Sequence, residues 1–186
     1  MKRLVKLALL TMSTAGSAAG QQLTAAGNVE LAGNVSFSHY DAAASDFSTS
    51  VFTFAPQVSY FWRENFSLGL STGFGYLSGV SVVSPSDGDN STVVQLFAAP
   101  AYHFQLDSKQ LVPFVEGQLG YGVVTSGDSS SGLSYGARAG VKFVPVDHLV
   151  LTLAAQFLSL RLYRSDSDER IGWDYWTLGV GVGGYF

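Results

Sequence analysis

The chain has no cysteine, so no disulfide framework can hold it, and the apolar stretch near its start is not a lipoprotein leader. Proline is scarce, at five residues, and no linker rich in Pro, Ser or charge divides residues 21–186. Basic residues are few. Three of the ten, Lys2, Arg3 and Lys6, stand in the first six positions, leaving seven against fourteen acids in the remainder; that balance argues against nucleic acid as a partner. Beyond the first twenty residues no apolar run is long enough to cross a bilayer as a helix. A spanning protein would then have to be a closed β-barrel, because in lipid only closure pairs every backbone group of a sheet. Glycine is abundant, with 21 residues, but no glycine loop opens a helix or precedes a lysine, which excludes a phosphate-binding loop. Metal-ligand spacing is also missing, and no cofactor is expected.

Residues 1–20 have the parts of a signal peptide: the basic residues above, an apolar run from Leu4 to Met12, and small residues Ser17 to Gly20, with cleavage expected after Ala19 or Gly20. Residues 21–186 then form one domain. Along it, apolar and small or polar residues alternate with period two in eight segments. In 28–40, Val29, Leu31, Val35 and Phe37 oppose Glu30, Asn34, Ser36 and Ser38. In 51–62, Phe52, Phe54, Val58, Tyr60 and Trp62 oppose Thr53, Gln57 and Ser59. Segment 66–77 sets Phe66, Leu68, Leu70, Phe74 and Tyr76 against Ser and Gly. In 92–104, Val94, Leu96, Tyr102 and Phe104 oppose Gln95 and His103; in 111–123, Val115, Leu119 and Tyr121 oppose Glu116 and Gln118. Segment 134–144 sets Tyr135, Ala137, Val141 and Phe143 against Arg138 and Lys142. In 149–163, Leu149, Leu151, Leu153 and Phe157 oppose Thr152 and Gln156, but the parity blurs over 158–162, where a bulge is expected. The last, 175–186, carries Trp176, Leu178, Val180, Val182 and Phe186 on one face and runs to the final residue. Pro56 and Pro100 fall within strands, so local distortion is expected at both. Stretches 62–66, 105–110 and 145–148 read as tight turns. Stretches 41–50, 78–91, 124–133 and 164–174 read as longer loops.

Charge decides which face is outside. Glu30, Glu116, Arg138 and Lys142 all lie opposite the apolar face. Four ionisable groups among the apolar residues of a soluble core would be costly unless paired, whereas a charge-free face suits contact with hydrocarbon. The expected fold is therefore all-β: an eight-stranded antiparallel transmembrane β-barrel with a polar interior and a lipid-facing apolar exterior. Aromatics near the strand ends fit an interfacial belt. The four charged residues are expected to form an interior polar cluster, ringed by Gln57, Gln95, Gln118 and Gln156. Catalysis would need a nucleophile and a base together near a rim. Of the three histidines only His39, near Ser36, Ser38 and Asp41, invites that reading, and mere adjacency in a serine-rich chain does not support an enzyme.

Three stretches carry a resemblance: Phe54-Ala-Pro-Gln-Val-Ser-Tyr-Phe61 followed by Glu64-Asn-Phe-Ser-Leu-Gly69; Leu111-Val-Pro-Phe-Val-Glu-Gly117 with Gly120-Tyr-Gly122; and the terminal Gly184-Tyr185-Phe186. They resemble the small bacterial outer-membrane β-barrel proteins, the group of the OmpA transmembrane domain, the OmpX-like barrels and the opacity-type surface proteins. The resemblance implies residence in the outer membrane among its lipids and lipopolysaccharide, after handling by periplasmic chaperones and the insertion machinery. Leu178, Val180, Val182 and Phe186 match the family's C-terminal insertion signal, with Gly184 where an apolar side chain is usual. A structural barrel contributing to envelope integrity is the expected function. The alternatives are an adhesin or recognition protein whose surface loops bind a host or envelope ligand, and a narrow channel for small solutes.

Overall fold

The structure, a computed structural model, describes residues 23–42, 47–78, 91–106, 110–126, 128–164 and 170–186. The signal-peptide reading of 1–20 lies outside them. Eight antiparallel strands follow one another around a closed barrel: β1 (Val29–Ala42), β2 (Phe47–Arg63), β3 (Phe66–Ser78), β4 (Ser91–His103), β5 (Leu111–Ser126), β6 (Asp128–Phe143), β7 (Leu149–Arg164) and β8 (Arg170–Tyr185). The barrel closes where β8 meets β1, from Glu30 opposite Tyr185 to Phe37 opposite Leu178. Beyond that ladder Val29 and Phe186 exchange both backbone hydrogen bonds, at 3.0 and 2.9 Å. The last residue of the chain thus takes part in closure.

The period-two pattern arises from the pleat, which sends successive side chains to opposite faces. Leu31, Phe54, Leu70, Leu96, Leu119, Leu153, Leu178, Val180 and Val182 are exposed on the outside, while Glu30, Ser59, Gln95, Glu116 and Lys142 are buried. The turn end of the barrel is tightly tied. Asn65 and His148 adopt left-handed backbone angles, both with φ of 67°, which single turn residues accept at moderate cost. Phe61 continues the inward parity of Ser59 and is fully buried, with Trp62 outside, and one register shift follows, between Phe61 and Arg63.

Two expectations change, and the one at the prolines holds. Stretches 41–50, 124–133 and 164–174 are largely strand: only 43–46, residue 127 and 165–169 separate β1 from β2, β5 from β6 and β7 from β8. Backbone hydrogen bonds continue through Ser and Gly as well as through Leu, so the ladder outlasts the apolar pattern that marks it. The bulge expected in β7 is not there; its register with β6 and β8 is continuous from Leu151 to Tyr163. The prolines distort the sheet without shifting it. Between β2 and β3 the pairs Ala55–Gly73 and Pro56–Thr72 drop out, and between β4 and β5 the pairs Ala99–Gln118 and Pro100–Gly117 drop out, with the same register resuming beyond each gap. A proline nitrogen carries no hydrogen, so the carbonyls of Thr72 and Gly117 lose their ladder donors.

Candidate functional site

The barrel interior is built in layers. At the turn end, Leu23, Phe61, Val150 and Tyr185 form an apolar plug, with Val144 against it. The segment before β1 folds beneath the barrel: Gly27 N–H donates to the Phe61 carbonyl at 2.7 Å, Asn65 N–H to the Thr24 carbonyl at 3.0 Å, and Asn28 Nδ2 to the Leu23 carbonyl at 3.1 Å.

Next come the four charged residues, all pointing inward, in two pairs. Lys142 Nζ donates to Glu30 Oε2 and lies 5.2 Å from the centre of the Phe114 ring. Arg138 stands directly across the β5–β6 ladder from Glu116, and its Nη1 is 3.8 Å from Glu116 Oε1. Neutral side chains complete this second pair. Arg138 donates to Asn34 Oδ1 at 2.7 Å and to Gln57 Oε1 at 3.2 Å. Glu116 accepts from Gln57 Nε2 at 2.8 Å and from Gln118 Nε2 at 3.0 Å, and Gln156 donates to Gln118 at 2.7 Å. Two carboxylates and two cations balance, and the shared hydrogen bonds offset desolvation that isolated charges could not bear. Asn34, which the sequence reading placed on the polar face without a role, is Arg138's shortest partner. The buried His103 ring tilts against Phe61 at 4.9 Å, with Nε2 3.1 Å from Ser67 Oγ. The side chain of His39 lies outside the described residues.

Above the charges, a cavity of about 30 Å³ is bounded by Asn34, Gln57, Gln118, Arg138 and Thr177 among others, space for one or two waters. Phe97 and Leu158 also line it and pack with Tyr175. A second apolar layer of Val51, Val93, Val124, Leu160 and Leu162 follows, and the gap beside it is only about 10 Å³, at or below the size of one water. Among the described residues the polar core thus lies between apolar layers.

The upper layer explains the blurred parity of β7. Leu158, Leu160 and Leu162 point inward and are buried. On the outside, Arg161 Nη1 pairs with Asp174 Oδ1 at 2.9 Å, and Ser159 Oγ donates to that same oxygen at 2.6 Å. Near the turn end this strand is apolar outside and, beyond Val150 of the plug, carries Thr152 and Gln156 inside. Toward the far end it is the reverse. Leucines at three successive even positions, with Ser159 and Arg161 between them, were the available signal. Among the described residues no three His, Asp or Glu side chains gather as a metal site would require.

No protein-family model matches the chain, and no curated protein does. Solved structures do match. The crystal structure of Neisserial surface protein A aligns with 86% of this chain and 99% of its own, at 14% identity and a TM-score of 0.65. The N-terminal β-barrel domain of Pseudomonas aeruginosa OprF gives 87% and 98% coverage, 18% identity and a TM-score of 0.52. The outer membrane protein OprG from Pseudomonas aeruginosa gives 87% and 97% coverage, 12% identity and a TM-score of 0.57. At these identities the likeness is one of fold: this chain is an eight-stranded barrel structurally similar to small outer-membrane barrels.

Proposed function

We propose that the protein is a structural, multi-pass β-barrel of the bacterial outer membrane, contributing to envelope integrity as a sealed body with its short turns in the periplasm. The observation that carries this is the opposed polarity of its two faces. Large apolar side chains on every strand stand exposed on the outside while two ion pairs are buried within. A water-soluble monomer does not expose so much contiguous apolar surface, whereas lipid requires it. Outer-membrane lipids and lipopolysaccharide then surround the wall. Leu178, Val180, Val182 and Phe186, all on its outer face, serve as the insertion signal for the assembly machinery after periplasmic chaperones deliver the chain. The reading gives the protein no enzymatic activity.

The two apolar layers weigh against the narrow-channel alternative. Refolded protein in a planar bilayer is expected to be electrically silent. Discrete openings that weaken in Glu116→Gln or Arg138→Gln would replace the sealed barrel with a channel. Recognition of a host or envelope ligand has one supporting observation: twelve residues, 79–90, separate β3 from β4, far more than at the other far-end connections. They lie outside the described residues. Deleting 79–90 is expected to leave cell attachment to surfaces unchanged, and a loss of attachment would favour the adhesin.

A further inference from the structure

The outer wall has a groove of about 570 Å³ across β4 to β7. Its floor is made where outward positions carry small residues: Pro100, Gly117, Ala137, Ala139 and Ala155. Aromatic pairs form its two ends. Phe66 and Tyr102 lie 4.8 Å apart toward the turn end, and Phe157 and Trp176 lie 4.9 Å apart toward the far end. Much of the remaining outer wall bears Leu, Val and aromatic side chains, and a shallower groove of about 490 Å³ beside Pro56 and Thr72 has no cation next to it among the described residues. In the larger groove the small side chains leave a slot between the two aromatic pairs, and whatever fills it gains dispersion contacts with the floor.

The far end of this slot adjoins a polar cluster. On β7 and β8, Phe157 pairs with Trp176, the next outward pair is Ser159 with Asp174, and the one after is Arg161 with Gly172. Arg161 is held in place: Asp174 takes both Nη1 and Nη2, at 2.9 and 3.3 Å, and the guanidinium carbon stands 6.0 Å from the centre of the Tyr135 ring. Arg161 lies close over Gly172, where a Cβ would stand 2.9 Å from Nη1. A guanidinium offers five donors in a planar fork, more than one carboxylate takes up, and that fork suits phosphate oxygens. Apolar slot and cationic head thus follow each other along one ladder, in the order of an acyl chain and its phosphate.

We propose that this surface is a lipid site: an acyl chain of the phosphorylated outer-leaflet glycolipid lies in the groove, and its phosphate meets Arg161. The site rests on the outer-membrane reading but can fail separately. A wild-type barrel that inserts into bilayers yet retains no lipid sinks the site alone, and one that does not insert sinks both.

The test is native mass spectrometry of the refolded barrel in mixed micelles containing lipid A or its dephosphorylated form, with folding checked by heat-modifiable gel mobility. Wild type is expected to retain one lipid A with roughly tenfold preference over the dephosphorylated form, as one charge-assisted contact provides. Arg161→Gln should lose the preference while keeping chain binding. Arg161→Gln combined with Asp174→Asn, which leaves no unpaired charge, serves if the single variant does not fold. Ala137→Leu with Ala155→Leu should fill the slot and lower retention of both lipids. Unchanged retention in the filled variant, or unchanged preference without Arg161, overturns the proposal. So does a cross-linked dimer that the filled variant abolishes, because a second copy would then be the occupant.

Discussion

Lys142 and Glu30 face each other with almost no exposure, between the Phe61 plug and the Arg138–Glu116 layer. A buried pair of this kind contributes little net energy compared with well-packed apolar residues, but removing one member strands the other charge in a medium that cannot solvate it. Lys142→Met alone is expected to lower unfolding free energy by about 3–5 kcal/mol, read by urea titration in lipid vesicles. Adding Glu30→Leu should recover most of that loss. If the double variant is as unstable as the single one, the pair acts through something other than its charge balance. The Arg138–Glu116 pair should resist such rescue, because Asn34, Gln57 and Gln118 would each lose a partner with it.

Individual strands show how much of this was legible beforehand. Where outward apolar residues alternate with Glu, Gln, Ser or Gly, as in β3 and the lower part of β5, period and parity were readable directly, and so were the inward positions of Glu116 and Arg138. Legibility failed where the surroundings change along a strand. In β7 both faces are real, but which one is apolar switches near Leu158, so a constant parity looked like a bulge. Ser129 to Leu133 and Arg170 to Asp174 read as loop for the same reason, since their ladder rests on backbone groups that carry no side-chain signature. The network around Glu116 was only half visible, because glutamines on one face do not reveal which of them meet. The prolines were visible, yet their effect is confined to the seams. Pro100→Val restores the donor that the Gly117 carbonyl lacks. The amide of residue 100 in that variant is expected to be protected from hydrogen exchange like its strand neighbours, with at most about 1 kcal/mol of added stability. That gain is small partly because losing proline also frees the unfolded chain. An unprotected amide there would show that the seam is held open by something other than the missing donor.

Across the whole barrel, the outer-membrane reading takes the switch in polarity as the edge of the hydrocarbon. A tilted strand needs roughly 9–11 residues to cross the hydrocarbon, whereas β2 has 17 and β5 to β8 have 16 each. The surplus lies at the far end, where Leu160, Leu162, Val93 and Val124 fill the inside and Arg161 and Asp174 face out, their side chains 42% and 51% exposed. An ion pair that open would be costly in hydrocarbon and is acceptable among headgroups. On that reading the barrel is two zones in series: a lower one in the bilayer with the ion pairs within, and above it one with Leu160, Leu162, Val93 and Val124 inside and the Arg161–Asp174 pair outside. The boundary should lie between Phe157 and Arg161. Arginine substituted on the outer face reports depth, costing about 2–4 kcal/mol at the midplane and about 0–1 near an interface. Leu153→Arg and Val180→Arg, which are ladder neighbours, are expected to show the larger loss in vesicle-based urea unfolding. Leu133→Arg, opposite Arg161 in the β6–β7 ladder, should show the smaller one. Equal losses at Leu133 and Leu153 would place both within the hydrocarbon, and the upper section could not then stand clear of the membrane.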